Sequence, residues 1–167
     1  MELYILRHAI AVDRGTPGFE RDDRRPLTEK GEEKMHGIAR GMKSLGLSFD
    51  IILSSPFERA KHTAEIVAET FDCKKSMTLT DLLATDGDMM EFVEYVNRHY
   101  AKLQSILVVG HEPYLSGMIS LLVSGSEAMS VVMKKGGLCK LSMSFPLRPG
   151  GATLEWLLPP KALTRLD

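Results

Sequence analysis

Three short apolar runs stand out along the chain, and no polar residue interrupts any of them. They are Leu3–Leu6, Ile51–Leu53 and Ile106–Val109. Unbroken runs of this length, rich in β-branched residues, are typical of strands that are covered on both faces, as in a parallel sheet. We therefore predict three buried parallel strands at these positions.

Between the first two runs, apolar residues recur with the period of a helix. The stripe consists of Met35, Ile38, Ala39 and Met42. It predicts an amphipathic helix from about Glu29 to Leu45. Thr28 is suited to cap its amino end, and Gly46 is suited to end it.

Further elements follow the same alternation of strand and helix. A second helix is predicted to begin with Pro56 at its first position, a third to cover about Asp88 to Leu103, and a fourth to follow Pro113. Near the end, Leu138–Ser144 and Thr153–Leu158 alternate in polarity and predict a hairpin. Together these elements predict a three-layer α/β/α fold, in which a mostly parallel sheet carries an antiparallel edge strand.

Composition and charge limit the classes of function. The 167 residues suit one domain, residues 1–167, and the hydrophobic share of 44% is that of an ordinary globular protein. A formal net charge of -1 provides no overall attraction to nucleic acid or to an anionic membrane. With no apolar run near the ~20 residues of a membrane span and no leader-like start, we expect a cytoplasmic protein without nucleic-acid or membrane partners.

Each of the three apolar runs is followed within a few residues by side chains that can bind a ligand or take part in catalysis. The first run is followed by Arg7 and His8, the second by the sequence SSPFER, which contains Arg59, and the third by GHEP, which contains His111. In open α/β sheets, ligands bind beyond the carboxyl ends of the strands. If the three strands are parallel neighbours, these four side chains converge on one site.

Two arginines and two histidines are a combination suited to phosphate. The planar guanidinium matches phosphate oxygens in pairs, and Arg59 would also lie in the first turn of a helix, where an anion is favoured. A metal site is the rival explanation for two histidines, but two guanidiniums would repel a cation and no clear third ligand accompanies them. The sequence therefore predicts a phosphate pocket around a histidine nucleophile or base, with no metal and no cofactor.

Four sequence blocks also carry a family resemblance. LRHAIA resembles the Arg-His-Gly signature of the histidine phosphatase superfamily, with Ala9 in place of the glycine. RPLTEKGEEKM, ILSSPFERAKHTAE and LVVGHEPYLSGM resemble its remaining blocks in order, although His62 stands where glutamine is usual. The resemblance implies a phosphoglycerate mutase-like fold. Because the chain is short and lacks the cap of the mutases, it is most similar to the SixA-type phosphohistidine phosphatases.

The resemblance implies a two-step reaction. His8 would attack phosphorus and become phosphorylated itself, which requires one free neutral nitrogen while the other is held by an acceptor. Arg7, Arg59 and His111 would hold the equatorial oxygens of the phosphoryl group. A protonated His111 would complete a strongly positive pocket.

Four further residues are candidates for substrate binding. Arg25 lies in a polar loop that borders the pocket mouth in this family, although an exposed loop charge is an equal alternative. Ser55 and Glu112 flank the second and third strand exits. Asp86 follows the apolar patch Met77–Leu83, roughly where mutase-type relatives carry a general acid, with solvation in a loop as the alternative.

The resemblance implies that the partner is a phosphohistidine-bearing phosphotransfer protein. A leaving imidazole needs no strong acid, since the pKa of its conjugate acid is about 6.5. Two alternatives remain open at this stage. One is a phosphatase of a small phosphorylated substrate with Asp86 or Glu112 as its acid, and the other is a non-catalytic phosphate-binding module.

Overall fold

A six-stranded sheet forms the middle layer of the protein. The computed structural model describes residues 1–167. The strands are β1 (Glu2–Arg7), β2 (Ile51–Ser54), β3 (Met77–Leu79), β4 (Ser105–Gly110), β5 (Leu138–Met143) and β6 (Ala152–Leu158). Their order across the sheet is β3-β2-β4-β1-β5-β6. The first four strands in this order are parallel, whereas β5 pairs antiparallel with β1 and β6 with β5.

Helices cover both faces of the sheet. They are α1 (Glu29–Ser44), α2 (Glu58–Thr70), α3 (Met89–His99), α4 (Tyr114–Ser124) and the short α5 (Pro160–Leu163). One apolar core contains residues of α1, α2 and α5, and the other contains residues of α3 and α4. Along β1, Tyr4 and Leu6 belong to the first core and Leu3 and Ile5 to the second. This confirms the predicted three-layer arrangement, and no helix combines the length and apolarity needed to cross a membrane.

Some boundaries differ from the sequence prediction. Helix α2 begins at Glu58 instead of Pro56, because Phe57 has an extended backbone. Helix α3 ends at His99 instead of Leu103. The predicted hairpin is confirmed as β5 and β6, whereas β3 adds a fourth parallel strand that was not predicted.

Side-chain caps are present at the amino ends of α1 and α3. The Oγ1 of Thr28 accepts a hydrogen bond from the backbone N–H of Gly31 at 3.0 Å, as expected for the first residue before α1. The Oδ1 of Asp88 accepts from the backbone N–H groups of Met90 and Glu91 at 2.7 and 3.0 Å. Asp88 is therefore the N-cap residue of α3.

The carboxyl ends of three parallel strands lie side by side. Arg7 of β1 is in register with Gly110 of β4, and Ser54 of β2 is in register with Val109 of β4. The chain segments that follow these strands must therefore leave the sheet at one place. This arrangement confirms the predicted convergence of the three exits.

Candidate active site

The structure brings the four predicted residues together at this edge of the sheet. The ring centroids of His8 and His111 are 5.1 Å apart. Arg59 lies in the first turn of α2 with 2% of its surface exposed, and Arg7 is the last residue of β1. The backbone N–H of His8 donates to the carbonyl of Gly110 at 3.1 Å, which fixes the β1 exit against the β4 exit.

The imidazole of His8 has one engaged nitrogen and one free nitrogen. Its Nδ1 lies 2.7 Å from the carbonyl oxygen of Ala9. A carbonyl can only accept, so the hydrogen bond places the proton on Nδ1 and leaves Nε2 with its lone pair. Burial, with contributions from His111 and the two arginines, lowers the pKa of His8 to about 2. The ring is therefore neutral near pH 7, and Nε2 is a competent nucleophile.

A buried threonine joins the β1 exit to α2. The Oγ1 of Thr63 accepts from the backbone N–H of Ala9 at 3.1 Å and donates to the carbonyl of Arg59 at 2.6 Å. Sequence reasoning missed Thr63, although its spacing from the apolar residues Ala60 and Val67 places it on the buried face of α2. The neighbouring His62 lies instead toward α1, with 3.8 Å between Nε2 of His62 and Oε1 of Glu32.

The guanidinium of Arg59 is held by one residue of the loop before α1. Nη1 of Arg59 donates to the backbone carbonyl of Asp22 at 2.6 Å, and Nη2 donates to its Oδ2 at 2.9 Å. The guanidinium carbon also lies 5.2 Å from the centroid of the Phe57 ring. The Nε of Arg59 is buried and has no hydrogen-bond partner.

Asp22 pairs with two further arginines. Its Oδ1 accepts from Nε and Nη2 of Arg25 at 3.0 and 2.8 Å, and from Nε of Arg14 at 2.8 Å. Burial acts to raise the pKa of Asp22, but the hydrogen bonds from Arg25 and Arg59 outweigh it and lower the pKa to about 2. Sequence reasoning missed Asp22, because nothing in DDRR distinguishes it from Asp23.

Arg7 and His111 each keep one buried nitrogen without a partner. Nη1 of Arg7 donates to the carbonyl of Met133 at 2.6 Å, while its Nε has no partner. The Nε2 of His111 lies 2.8 Å from Oγ of Ser55, while its Nδ1 has no partner. Burial, together with the Arg59 guanidinium, lowers the pKa of His111 to about 3. The expectation of a protonated His111 is therefore wrong for the protein without a bound anion.

The remaining candidates lie at different distances from this cluster. Ser55 contacts His111, and Arg25 is buried and reaches Arg59 through their shared partner Asp22. The Oε1 of Glu112 accepts from the backbone N–H of Ser116 at 3.2 Å, and its charge partly offsets the lowering of the Arg7 pKa by burial. Asp86 is exposed and lines a groove that neighbours the cluster.

That groove has a volume of about 960 Å³ and shares Asp22, Arg25 and Phe57 with the surroundings of Arg59. None of the four clustered residues lines it. Seven carboxylates and two arginines do: Glu20, Asp22, Asp23, Asp81, Asp86, Asp88 and Glu91, with Arg14 and Arg25. A basic cluster and an acidic groove therefore lie next to each other.

A family model matches the amino-terminal part of the chain. The model described as "Histidine phosphatase superfamily (branch 1)" matches residues 3–84, which include Arg7, His8 and Arg59. The chain belongs to the histidine phosphatase superfamily. We class this superfamily member as a phosphatase.

Individual relatives cover nearly the whole chain. An uncharacterized protein of Picosynechococcus sp. strain PCC 7002 is 35% identical over 156 residues, which are 93% of this chain and 89% of the relative. The phosphohistidine phosphatase SixA of Escherichia coli K12 is 25% identical over 162 residues, 96% of this chain and 94% of that protein.

A solved structure confirms the fold. The protein histidine phosphatase SixA in complex with tungstate superimposes with a TM-score of 0.85 at 24% identity, covering 98% of this chain and 99% of the other. The fold is therefore SixA-like and phosphoglycerate mutase-like, as the sequence blocks implied.

Proposed function

We propose that this histidine phosphatase hydrolyses phosphohistidine on a partner protein, with His8 as the nucleophile. The observation that carries the proposal is the ionised state of Asp22, the carboxylate that contacts Arg59. Asp22 is bound by three arginines and its pKa is lowered to about 2, so it is ionised near pH 7 and cannot act as a general acid. Expelling an alkoxide requires a positioned acid, whereas expelling imidazole does not.

In the first step, the lone pair of His8 Nε2 attacks phosphorus. The Nε2–P bond forms while the P–N bond of the substrate breaks, and the substrate ring leaves as neutral imidazole when its other nitrogen carries a proton. The hydrogen bond from Nδ1 to the carbonyl of Ala9 orients the ring and stabilises the positive charge that it acquires.

In the second step, water attacks the phosphorus of phosphorylated His8. The P–Nε2 bond breaks, inorganic phosphate leaves, and the imidazole of His8 returns to its neutral form. Two buried N–H groups without protein partners, those of Arg7 Nε and Arg59 Nε, are available to donate to the phosphoryl oxygens in both steps, and Nδ1 of His111 is likewise without a partner. Donors fixed before the reaction stabilise the charge of the transition state without reorganisation.

The acidic groove supports a protein substrate over a small anionic one. A metabolite with a second phosphate or a carboxylate would meet a groove wall of seven carboxylates, whose two arginines, Arg14 and Arg25, are both paired with Asp22. A phosphorylated protein can instead present neutral or basic side chains around its phosphohistidine. The similarity to the E. coli phosphohistidine phosphatase points in the same direction.

One observation favours a second candidate function. Glu112 follows His111 directly, and its carboxylate is close enough to Arg7 to influence the Arg7 pKa. A carboxyl group at that position could protonate the leaving oxygen of a small phosphoester. In that case Glu112→Gln would abolish ester hydrolysis.

The test compares phosphate release from a phosphohistidine-bearing phosphotransfer domain with release from a panel of small phosphoesters. The wild type should release phosphate from the phosphoprotein, and His8→Ala should lower this rate by about a thousandfold or more. His99→Ala, which alters an exposed histidine at the end of α3, serves as the matched control.

Two outcomes would contradict the proposal. Faster turnover of an ester than of the phosphoprotein, lost in Glu112→Gln, would identify a metabolite phosphatase. Absence of any release that depends on His8 would leave a phosphate-binding module.

A further inference from the structure

Ser55 is a fully buried polar residue whose hydroxyl has two neighbours. Its Oγ accepts the backbone N–H of Phe57 at 3.3 Å and lies 2.8 Å from Nε2 of His111. The amide can only donate, so it leaves the hydroxyl proton of Ser55 without a partner. Nε2 of His111 is the acceptor within its reach, and buried hydroxyl protons are normally satisfied.

We infer that Ser55 fixes His111 in the tautomer that carries its proton on Nδ1. A neutral imidazole has a single N–H, and a hydroxyl that donates to Nε2 places it on the other nitrogen. That nitrogen is buried and has no partner in the protein. Ser55 is then a positioning residue that acts through His111, and not a ligand of the substrate.

The inference rests on the proposed function and adds one property to it. His111 can donate a hydrogen bond to a phosphoryl oxygen while it stays neutral, so binding requires no uptake of a proton by His111. Its charged and titratable neighbours come from several elements: His8 and Arg7 of the β1 exit, Arg59 of α2, Asp22 and Arg25 of the preceding loop, and the adjacent Glu112. Three of these are arginines, which oppose a second proton on the imidazole.

Removal of the hydroxyl should therefore weaken phosphate binding. In Ser55→Ala, neutral His111 can hold its proton on Nε2 and turn a lone pair of Nδ1 toward the phosphate. To donate from Nδ1 the ring must then move its proton back from Nε2, which lowers the affinity. We expect Ser55→Ala to bind inorganic phosphate more weakly than the wild type between pH 7 and pH 8, by up to about tenfold.

The first measurement is ¹⁵N NMR of the His111 ring in the full-length protein at pH 7, with His111→Asn used for assignment. The inference predicts a protonated Nδ1 and an unprotonated Nε2 in the wild type, and a shift of the proton toward Nε2 in Ser55→Ala. Ser55→Thr retains the hydroxyl and should retain the wild-type signals. The affinity for inorganic phosphate is measured in parallel as the ratio of variant to wild type at each pH, so that ionisation of phosphate itself cancels.

A second pair of variants tests the inference if changes at Ser55 prevent folding. The side-chain amide of asparagine reaches about the position of Nδ1, and that of glutamine about the position of Nε2. His111→Asn should therefore bind inorganic phosphate more tightly than His111→Gln, by about tenfold.

A proton on Nε2 in the wild type, or an equal affinity of Ser55→Ala and the wild type for inorganic phosphate, would overturn the inference. None of these readouts requires turnover. If the proposed phosphatase activity were absent, the tautomer and the phosphate affinity would still be measurable. A failure of this inference is therefore distinguishable from a failure of the proposed function.

Discussion

Arg7, Arg59 and His111 are each held by hydrogen bonds that leave one buried side-chain nitrogen without a partner. Arg7 uses Nη1 on the carbonyl of Met133, and Arg59 uses Nη1 and Nη2 on Asp22. The Nε of each arginine stays buried without a partner, as does Nδ1 of His111. A buried polar group without a partner costs about 1–3 kcal/mol, and three such nitrogens in one cluster support the proposed binding of an anion.

The hydroxyl of Thr63 offers a test of how the residue after His8 is positioned. Thr63→Val keeps the shape but leaves the N–H of Ala9 buried without its acceptor, so we expect a loss of about 1–3 kcal/mol in the free energy of unfolding. Because the carbonyl of Ala9 orients His8, kcat should also fall. Urea unfolding and steady-state kinetics measure the two effects.

Thr70→Val is the matched control for this change. Thr70 lies on the same helix and also donates to the carbonyl four residues before it, at 2.9 Å from Ile66. Unlike Thr63, Thr70 accepts no hydrogen bond at its hydroxyl from the backbone of another segment. Equal losses of stability and activity in both variants would contradict a positioning role for Thr63.

Among the secondary-structure elements, those with a strong periodic or continuous pattern were predictable. The runs that form β1, β2 and β4 are apolar because both faces of each strand are covered. Strand β3 was missed, since it has three residues and none is fully buried. The start of α2 was misplaced because the backbone of Phe57 is extended and not helical. The ring of Phe57 packs against the ring of His111, with 5.1 Å between their centroids.

The site could be predicted as far as it follows directly from strand ends. Arg7, His8, Arg59 and His111 all come shortly after a buried apolar run. Their supports could not be found in this way. Asp22 is 37 residues away from Arg59, and the carbonyl of Met133 is a backbone atom 126 residues away from Arg7, which no residue type marks.

The contact of α1 with the segment after His8 depends on a glycine. A β-carbon at residue 31 would overlap the backbone carbonyl of Ile10. Backbone cannot yield as a flexible side chain does, so Gly31→Ala should lower the free energy of unfolding by about 2 kcal/mol or more, and it should lower activity. Denaturation curves and phosphate release provide the readouts.

Gly37→Ala in the same helix controls for helix propensity. A β-carbon there would meet the ends of side chains, with Oδ2 of Asp167 nearest at 3.3 Å. Alanine is favoured over glycine in a helix interior by about 1 kcal/mol, so this variant should be neutral or more stable. If both variants lost the same stability, crowding against Ile10 would not be the cause.

For the molecule as a whole, the net charge of -1 conceals a strong local polarisation. Two arginines and two histidines meet at the strand ends, while seven carboxylates line the groove beside them. Average composition could not reveal this division, because it arises only when distant segments fold together. The division predicts a substrate that is anionic at one group and neutral or basic around it.

The two buried histidines should make the stability of the whole protein depend on pH. The pKa values of His8 and His111 are lowered to about 2 and about 3, whereas unfolded histidine titrates near 6.5. Below pH 6.5 the unfolded chain therefore binds more protons than the folded one, and the free energy of unfolding falls. Between pH 7 and pH 5 we expect each histidine to contribute a loss on the order of 1–2 kcal/mol.

Urea unfolding of His8→Gln at several pH values between 5 and 8 measures this contribution. The variant should lose less stability than the wild type as the pH falls, because one of the two neutral buried histidines is gone. His99→Gln replaces an exposed histidine and should follow the wild type. A His8→Gln variant with the wild-type pH slope would show that His8 is not held neutral.

The central claim is that Nε2 of His8 forms a bond to phosphorus during turnover. The most direct measurement is rapid quenching of the enzyme during reaction with a radiolabelled phosphohistidine-bearing domain, followed by peptide mapping. The account predicts an acid-labile, alkali-stable label on the peptide that contains His8, present in His99→Ala and absent in His8→Ala. Phosphate release without any labelled enzyme, or a label on another residue, would contradict it.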